Sequence, residues 1–518
     1  MTGAQKISRS TTAGIVLVGL AALILFQRIY TFDEPLERNI GIYSVTSHEM
    51  LAGRALYTDM WEHRPPGIFW IYAAGELLFG YNTLGILMLN LIGSCVILLG
   101  VYRAASCRGS PLRTGLWAAF FWAVLSGDLF FRANQPESEL FINACTVWAL
   151  ALLLRLPAEK PALKRCLGIG ALLALASAIR SVSFVSAVLL AGAHVLFAFR
   201  RRTPQGVWLR QAAAMAVPGF VMWALICGYY GAKGDFAVFY TANVSFNQFF
   251  AGGFWGNLWR SLHFSHLIPA VFRSLTPFWI AALAGAVWGG ARGSRAWGLL
   301  AALIAAAQIQ LALQGRFEWS YYQIWMPVLV IGAAWFLEDL GRMTGRVPWP
   351  KAAVLLSVML GGLLVLREQV FYRIPVEGWS YAKYGHRYYS EAKKLGLLLK
   401  DTLREEETFF QWGFEPTLYF YSRKSPPAGH LHIAALLLES PVQHEQTQRV
   451  LAALQRKPPA LFVVSKWALS RPDSVRHPVT AWYRGEYQPV AGGDLGHFVL
   501  FVRRGSVLAE RLRLQSGG

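Results

Sequence analysis

Residues 33–70 read DEPLERNIGIYSVTSHEMLAGRALYTDMWEHRPPGIFW, a polar segment that follows the first apolar run of the chain. The segment concentrates acid, because the whole chain of 518 residues has only 29 acidic residues. Its carboxylates are Asp33, Glu34, Glu37, Glu49, Asp59 and Glu62. A polar segment between apolar runs is either an ordinary extramembrane loop or the chemical end of a membrane enzyme.

The composition on either side of this segment indicates a membrane protein. Hydrophobic residues make up 55% of the chain and charged residues 15%, and the mean hydropathy is +0.37. Soluble domains carry about 25% charged residues. Apolar runs of membrane-crossing length recur, and we expect a polytopic α-helical membrane protein with about eleven spans. The predicted spans are 12–30, 84–104, 114–131, 139–156, 166–182, 184–199, 211–230, 273–291, 297–314, 321–338 and 352–367.

The positive charge of the chain predicts its orientation. The formal net charge is +20, which is also typical of nucleic-acid-binding proteins. Here, however, the basic residues fall in short loops between apolar runs, where they set membrane orientation. We therefore expect no nucleic-acid partner, a cytoplasmic N-terminus, and a first loop at 31–82 on the opposite side of the membrane.

The chain after residue 370 has a different pattern, which predicts a second domain. YYSEAKKLGLLLKDTL has helical periodicity, while TFFQWG, ALFVVSK and HFVLFVRR are typical of strands. We expect a transmembrane domain at 1–370 and a small soluble α/β domain at 371–518, on the same side as the first loop. The five cysteines show neither metal-ligand spacing nor a disulfide pattern.

The first loop holds residue types that suit transfer chemistry. A carboxylate near an apolar wall can act as a general base. Arg38, Arg54 and Arg64 could bind a phosphate in bidentate fashion, and Glu62 with His63 could ligate a divalent metal. The alternative is that these side chains only solvate a loop through weak ion pairs.

Further candidate residues lie at the ends of later spans. Arg180 is costly at membrane depth and predicts a partner or a water-filled cavity. Arg316, Glu318, Tyr321 and Tyr322 precede another span on the same side as the first loop. The aromatic and amide-rich segment 231–272 suits either a membrane-surface belt or a groove for a lipid chain or a sugar.

Several segments together resemble the GT-C glycosyltransferases, specifically the bacterial branch of the dolichyl-phosphate-mannose mannosyltransferase and aminoarabinose transferase group. The resemblance is carried in order by the first loop, QPESELFINA, FNQFFAGG, RFEWSYYQIWMP and FFQWGFEPTLYFY. It implies an enzyme of the bacterial inner (plasma) membrane with a periplasmic C-terminal domain. Such an enzyme moves a sugar from a polyprenyl-phosphate carrier to an acceptor hydroxyl of a glycolipid, polysaccharide or protein.

The resemblance also implies roles for particular residues. Members of the group typically have Asp where this chain has Asn39, so Glu37, Glu34 or Asp33 would have to serve as the base. Glu62 and His63 are the predicted ligands if a divalent metal is used. The predicted substrate-binding residues are Asn39, Tyr43, Asp59, Arg64, Arg180, Arg316, Tyr321 and Tyr322. The alternatives are a catalytically impaired relative that binds a lipid-linked sugar, and a lipid or sugar transporter.

Overall fold

The structure is a computed structural model that describes residues 3–157, 160–262, 275–344 and 373–516, with isolated positions between 351 and 369. Six helices within this described part are long and apolar enough to cross a membrane. They span Thr11–Tyr30, Thr83–Ala105, Ser181–Arg200, Gln205–Ala232, Arg295–Gln314 and Trp319–Arg342. The chain is therefore a polytopic helical membrane protein, as predicted.

A helix occupies each predicted span up to residue 338, and the span predicted at 352–367 lies largely outside the described residues. The helices up to residue 344 are α1 (Gly3–Tyr30), α2 (Arg38–Leu51), α3 (Gly67–Phe79), α4 (Thr83–Ala105), α5 (Pro111–Leu125), α6 (Ser138–Leu154), α7 (Leu163–Ile179), α8 (Phe184–Arg200), α9 (Gln205–Ala232), α10 (Phe236–Tyr240), α11 (Phe246–Ala251), α12 (Phe254–Leu262), α13 (Thr276–Ala291), α14 (Arg295–Gln314) and α15 (Met326–Thr344). A 3₁₀ helix, Trp319–Trp325, leads into α15.

A buried arginine near the end of α1 holds the turn that follows α5. Arg28 is fully buried and donates from Nη2 to the carbonyl oxygens of Ser126 at 2.8 Å and Ala133 at 3.3 Å. Its Nε donates to Asn90 of α4. An arginine inside a helical bundle is stable only when its donors are satisfied in this way. These bonds hold the backbone on either side of Arg132, which points to the functional site described below.

The sequence IGIYSVTSHEMLAG in the first loop is typical of an amphipathic helix that lies along a membrane surface. This segment belongs to α2, but the protein buries that helix on nearly every side. The Glu37 side chain accepts a hydrogen bond from the Asn39 backbone N–H and so caps the helix N-terminus. Gly41 packs against Thr417, where an added Cβ would come within 2.7 Å of the Thr417 methyl carbon. Because the C-terminal region covers α2, this helix lies inside the protein.

The C-terminal region forms a four-stranded sheet with surrounding helices. The strands are β1 (Phe409–Trp412), β2 (Leu461–Ser465), β3 (Tyr487–Leu495) and β4 (Phe498–Arg503), in the order β1-β2-β4-β3. β1 and β2 are parallel, and the other pairs are antiparallel. Its helices are α16 (Val376–Tyr384), α17 (Tyr388–Thr402), α18 (Thr417–Ser422), α19 (Ala434–Leu437), α20 (Gln443–Arg456), α21 (Lys466–Leu469), α22 (Pro472–Val475), α23 (Pro478–Glu486) and α24 (Val507–Ser516).

The first loop and the C-terminal region contact each other directly. The Trp61 N–H donates to the Gly429 carbonyl at 3.0 Å. Arg54 donates to the Pro426 carbonyl at 2.8 Å, and Tyr421 accepts from the Leu36 N–H at 2.9 Å. Polar groups from both parts of the chain therefore meet on one face of the bundle, which we call the first-loop face.

Candidate active site

Two adjoining cavities open on the first-loop face. The larger, about 740 Å³, is predominantly polar and contains Glu37, so we call it the Glu37 cavity. The smaller, about 390 Å³, contains His63 and several aromatic rings, and we call it the His63 cavity. Arg38, Arg316 and Glu318 line both cavities, which therefore meet at these three side chains.

Glu37 is held rigidly at the wall of its cavity. Its Oε1 lies 2.7 Å from Nη1 of Arg132, and its Oε2 accepts from the Asn39 N–H at 2.9 Å. The Glu37 N–H in turn donates to the Gln135 side chain at 2.9 Å. Burial acts to raise the pKa of the Glu37 carboxyl, but the Arg132 and Arg38 charges outweigh burial, so that this pKa lies below its ordinary value. Glu37 is an ionised, fully engaged carboxylate.

Glu137 is a second buried carboxyl next to Glu37, at the residue that precedes α6. Burial, followed by repulsion from Glu37 and Glu139, raises the pKa of Glu137 well above its ordinary value. Its Oε2 finds no hydrogen-bond donor among the described residues. A proton on Glu137 would let this oxygen donate instead of accept, and the neighbouring Glu37 carboxylate is the acceptor that interacts with it. The lowered pKa of Glu37 and the raised pKa of Glu137 favour a single negative charge on this pair of acids.

Asn39 connects Arg64 to Glu137. Its Oδ1 accepts from Nη2 of Arg64 at 2.9 Å, and its Nδ2 donates to Oε1 of Glu137 at 3.4 Å. Nη1 of Arg64 donates to Glu62 at 2.8 Å, and the guanidinium lies 5.2 Å from the ring centre of Tyr43. Burial acts to raise the pKa of Glu62, but the charges of Arg64 and His63 hold it well below its ordinary value. Arg64 is therefore fixed by internal partners.

Glu62 and His63 come close to a histidine from the C-terminal region. Ligand atoms of Glu62, His63 and His432 all lie within 4.8 Å of one another. Nδ1 of His63 is buried without a hydrogen bond to the described residues, at 2.9 Å from Oε1 of Glu62. Burial lowers the pKa of His432 to about 3, which leaves its imidazole neutral, the form that binds metals. Two histidines and one glutamate fit a divalent metal of the zinc type, with a coordination position left open.

Arg180 is buried behind the His63 cavity. Nη1 contacts Glu139 and donates to the Gln314 side chain at 2.5 Å, while Nη2 donates to Ser138 at 2.7 Å. The guanidinium lies 4.5 Å above the ring of Tyr321, which lines that cavity. Arg180 thus has the buried partners that its position predicted.

Arg316 and Glu318 stand at the junction of the two cavities and are much less constrained. Arg316 is exposed, packs 4.1 Å from the ring centre of Phe250, and forms no salt bridge with the described residues. The Glu318 side chain is 43% exposed, and its closest cationic contact is Nη1 of Arg132 at 3.3 Å. These two side chains are the charged groups best placed to meet a ligand that enters either cavity.

The structure brings most of the predicted site residues together and places others elsewhere. Glu37, Asn39, His63, Arg64, Arg316 and Tyr321 line the cavities, with Tyr43, Glu62 and Arg180 directly behind them. Four predicted residues lie outside both cavity walls: exposed Asp33, Glu34 buried 2.5 Å from Lys383, Asp59 in the turn after α2, and buried Tyr322.

Several residues of the site were not predicted to be functional. They are Arg132, Glu137, Lys383, Tyr384 and His432. Arg132 and Glu137 could have been found from the sequence, because both lie in the polar run RANQPESE (132–139) at the end of a predicted span. His432 could not, because its partners lie far away in sequence.

The fold is similar to that of solved membrane transferases. ArnT from Cupriavidus metallidurans bound to undecaprenyl phosphate gives a TM-score of 0.57 at 15% identity, over 96% of this chain and 99% of that chain. The apo structure of ArnT gives 0.58 at 16% identity, over 95% and 98%. The oligosaccharyltransferase AglB from Archaeoglobus fulgidus, in complex with an inhibitory peptide and a dolichol-phosphate, gives 0.51 at 11% identity, over 98% and 77%. No family model and no curated protein sequence matches the chain.

These similarities define the class of protein at the level of the fold. The chain is an integral membrane protein with the GT-C fold, which confirms the predicted fold class. At identities of 11–16% the likeness shows the fold alone. The chemistry of the protein depends on the two cavities and the groups that line them.

Proposed function

We propose that this protein is an integral-membrane glycosyltransferase that moves a sugar from a polyprenyl-phosphate carrier to an acceptor hydroxyl. The acceptor would belong to a cell-envelope glycolipid, a polysaccharide or a protein. The observation that carries the proposal is a pair of joined cavities with carboxylates and arginines on the first-loop face of a GT-C bundle. Two solved proteins of this fold hold a polyprenyl phosphate, undecaprenyl phosphate in one and dolichol-phosphate in the other.

Arg316 and Arg38 are the proposed ligands of the carrier phosphate. Neither forms a salt bridge with a described carboxylate, and both line the junction of the cavities. A guanidinium matches two phosphate oxygens and stabilises the negative charge that grows on the leaving group. Arg64 contributes its charge from the wall of the His63 cavity, where Glu62 and Asn39 fix its orientation.

An apolar groove beside α9 supports binding of a lipid chain. The groove, about 830 Å³, runs between α9 and the segment that follows α2, with Lys233 among its lining residues. Tyr230 forms part of its wall and packs edge-to-face on Tyr57, whose hydroxyl donates to the Arg64 carbonyl at 2.8 Å. A polyprenyl chain in this groove would therefore end close to the arginines of the site.

The site contains a group of side chains that could hold a divalent metal. Glu62, His63 and His432 would be its ligands, which joins the first loop to the C-terminal region. When bound, a divalent cation would add positive charge beside the departing phosphate. The neighbouring Arg64 already supplies positive charge there, and its bond to Glu62 keeps that carboxylate ionised.

For orientation and domain organisation we propose the arrangement that the sequence predicts. The basic loops favour a cytoplasmic N-terminus, which would place the first-loop face and residues 371–518 on the periplasmic side. Transfer would then occur at the outer face of the inner membrane, on the side opposite the basic loops.

Reconstitution with a labelled donor tests this function. Proteoliposomes receive polyprenyl-phosphate sugars, labelled in the sugar, together with a cell-envelope extract as the source of acceptors. We expect the label to move to an acceptor with release of free polyprenyl phosphate, and Arg316→Gln to slow this at least tenfold. The exposed Arg476→Gln serves as the matched control.

Two results would contradict the proposal. Saturable donor binding without turnover would favour the impaired, sugar-binding relative. Movement of the intact labelled donor across the bilayer without transfer would favour a transporter.

A further inference from the structure

Most carboxylates on the first-loop face are buried in ion pairs with a lysine or an arginine. The buried ion pairs are Glu34 with Lys383, Glu62 with Arg64, Glu139 with Arg180 and Glu37 with Arg132. Each of these carboxylates is at most 3% exposed. A carboxylate held in this way gives up strong bonds if it takes a proton, and an acceptor hydroxyl cannot reach it without displacing its partner.

Glu37 and Glu137 are the two carboxyls that contact Asn39. Glu37 uses one oxygen for Arg132 and the other to cap α2, so protonation would break an ion pair and a helix cap together. Glu137 is fully buried and lines neither cavity. Neither carboxyl therefore offers a free oxygen to a substrate in the cavities.

Glu318 differs from all of these carboxylates. It precedes the 3₁₀ helix that leads into α15, with an extended backbone (φ −69°, ψ 147°). Its side chain is 43% exposed, and the 3.3 Å contact with Arg132 is longer than the 2.7 Å contact of Glu37 with the same nitrogen. Among the described residues it is the only carboxylate that lines both cavities.

We propose that Glu318 is the catalytic base of the transfer, and this inference rests on the glycosyltransferase function proposed above. A half-exposed carboxylate between two cavities, with one 3.3 Å contact to Arg132, can meet an acceptor in one cavity while the donor lies in the other. Arg132, bonded to both Glu37 and Glu318 through Nη1, acts as a positioning residue. Glu37 then supports the site structurally by anchoring Arg132.

The proposed step is balanced as follows. The acceptor hydroxyl gives its proton to the Glu318 carboxylate, while its oxygen forms a bond to the anomeric carbon of the sugar. The bond between that carbon and the phosphate oxygen breaks, and its electron pair goes to the phosphate. The products are the glycosylated acceptor and free polyprenyl phosphate, and Glu318 releases its proton to solvent.

Substitution of Glu318 tests the assignment in the proteoliposome assay. We expect Glu318→Gln to lower the transfer rate by about 10²–10⁴-fold, the range for removal of a general base. Donor affinity should stay within about twofold, because the amide keeps the volume of the side chain. Glu406→Gln, at an exposed carboxylate before β1, serves as the matched control and should keep wild-type activity.

Chemical rescue separates catalysis from structure. Glu318→Ala opens space at a partly exposed position, where formate can take the place of the carboxylate. Added formate should therefore raise the transfer rate of Glu318→Ala at least tenfold. A Glu318→Gln rate within threefold of wild type, or no rescue of a folded Glu318→Ala protein, overturns the assignment to Glu318. A wild-type protein that never consumes a donor overturns the proposed function instead.

Discussion

Asn39 shows how a single amide can be required where an acid is expected. Its oxygen accepts from Arg64 while its nitrogen donates to Glu137. An ionised aspartate has no donor for Glu137, and it would add a second negative charge to the one that Glu37 and Glu137 carry together. The amide therefore suits a site in which two neighbouring carboxyls already share one charge.

Replacing Glu37 or Glu137 by glutamine should change the free energy of unfolding by very different amounts. Glu137→Gln replaces a protonated acid by a neutral donor, so we expect unfolding free energy within about 1 kcal/mol of wild type. Glu37→Gln removes a carboxylate from a buried ion pair with Arg132, which costs about 3 kcal/mol. Apparent melting temperatures in detergent measure both effects. A larger loss for Glu137→Gln than for Glu37→Gln would show that the proton lies on Glu37.

Metal binding at Glu62, His63 and His432 can be tested without any enzymatic assay. We expect the purified, metal-free protein to bind one zinc ion at this site, and His432→Gln to weaken binding at least tenfold because one of three ligands is lost. Isothermal titration with zinc measures this directly. His444→Gln, an exposed histidine on α20, is the control. Equal zinc affinity in wild type and His432→Gln would exclude the site.

At the scale of elements, α2 shows why an amphipathic pattern did not predict its environment. Its polar residues indicate a surface helix, and the first-loop face is where a membrane surface was expected. Instead α18 packs over α2, and Gly41 permits the close approach because it has no Cβ. The sequence pattern of a polar helix face is the same whether water or a polar part of the protein covers that face.

Gly41→Val should separate α2 from α18. A Cβ at this position would lie 2.7 Å from the Thr417 methyl carbon and 2.9 Å from its backbone nitrogen, which cannot move without shifting α18. We expect a loss of about 1–3 kcal/mol, the usual cost of overpacking. Gly228→Ala is the control, because its added Cβ meets nothing within 4 Å. Unchanged melting temperature in Gly41→Val would show that this contact is loose.

The strand β3 was missed for a related reason. Its sequence, YQPVAGGDL, contains a proline and a Gly-Gly pair, which are typical of turns. It lies at the edge of the sheet and pairs only with β4, with a register shift between Pro489 and Asp494. An edge strand tolerates proline and irregularity, because one side of its backbone needs no partner.

At the scale of the whole molecule, the C-terminal region completes the site that the first loop begins. Lys383 and His432 come from this region and contact Glu34 and the Glu62–His63 pair of the first loop. The Phe414 carbonyl accepts from Nε of Arg38 at 2.9 Å. Removal of this region would therefore alter both cavities and not only a neighbouring domain.

The stability of the molecule should fall as pH rises, because of Glu415. Burial raises the pKa of this carboxyl from 4.5 to about 8. The folded protein therefore keeps a proton that the unfolded chain loses, and stability decreases between these values by roughly 1.4 kcal/mol for each pH unit crossed. Glu415→Gln removes this dependence. Melting temperatures from pH 5 to 8 should decline less steeply in Glu415→Gln than in wild type.

Acid conditions act on both proteins alike and do not disturb that comparison. Burial lowers the pKa of His477 from 6.5 to about 4. The unfolded chain therefore takes up a proton that the folded protein does not, and stability falls as the pH drops below about 6.5. Parallel melting curves for wild type and Glu415→Gln across the range would show that Glu415 is ionised when folded.

The sequence by itself determined the class of molecule and where its chemistry lies in the chain. Apolar runs predict spans because lipid demands that each crossing satisfy its own backbone, and the first loop stood out by charge alone. Glu37, Arg64 and Arg316 were recognisable because their residue types suit phosphate and proton chemistry. Only the tertiary structure decided which carboxylates are accessible to a substrate. Glu34, Glu37 and Glu318 look equivalent in sequence, but their partners, Lys383 and Arg132, come from distant segments, and contact between distant segments sets burial and charge.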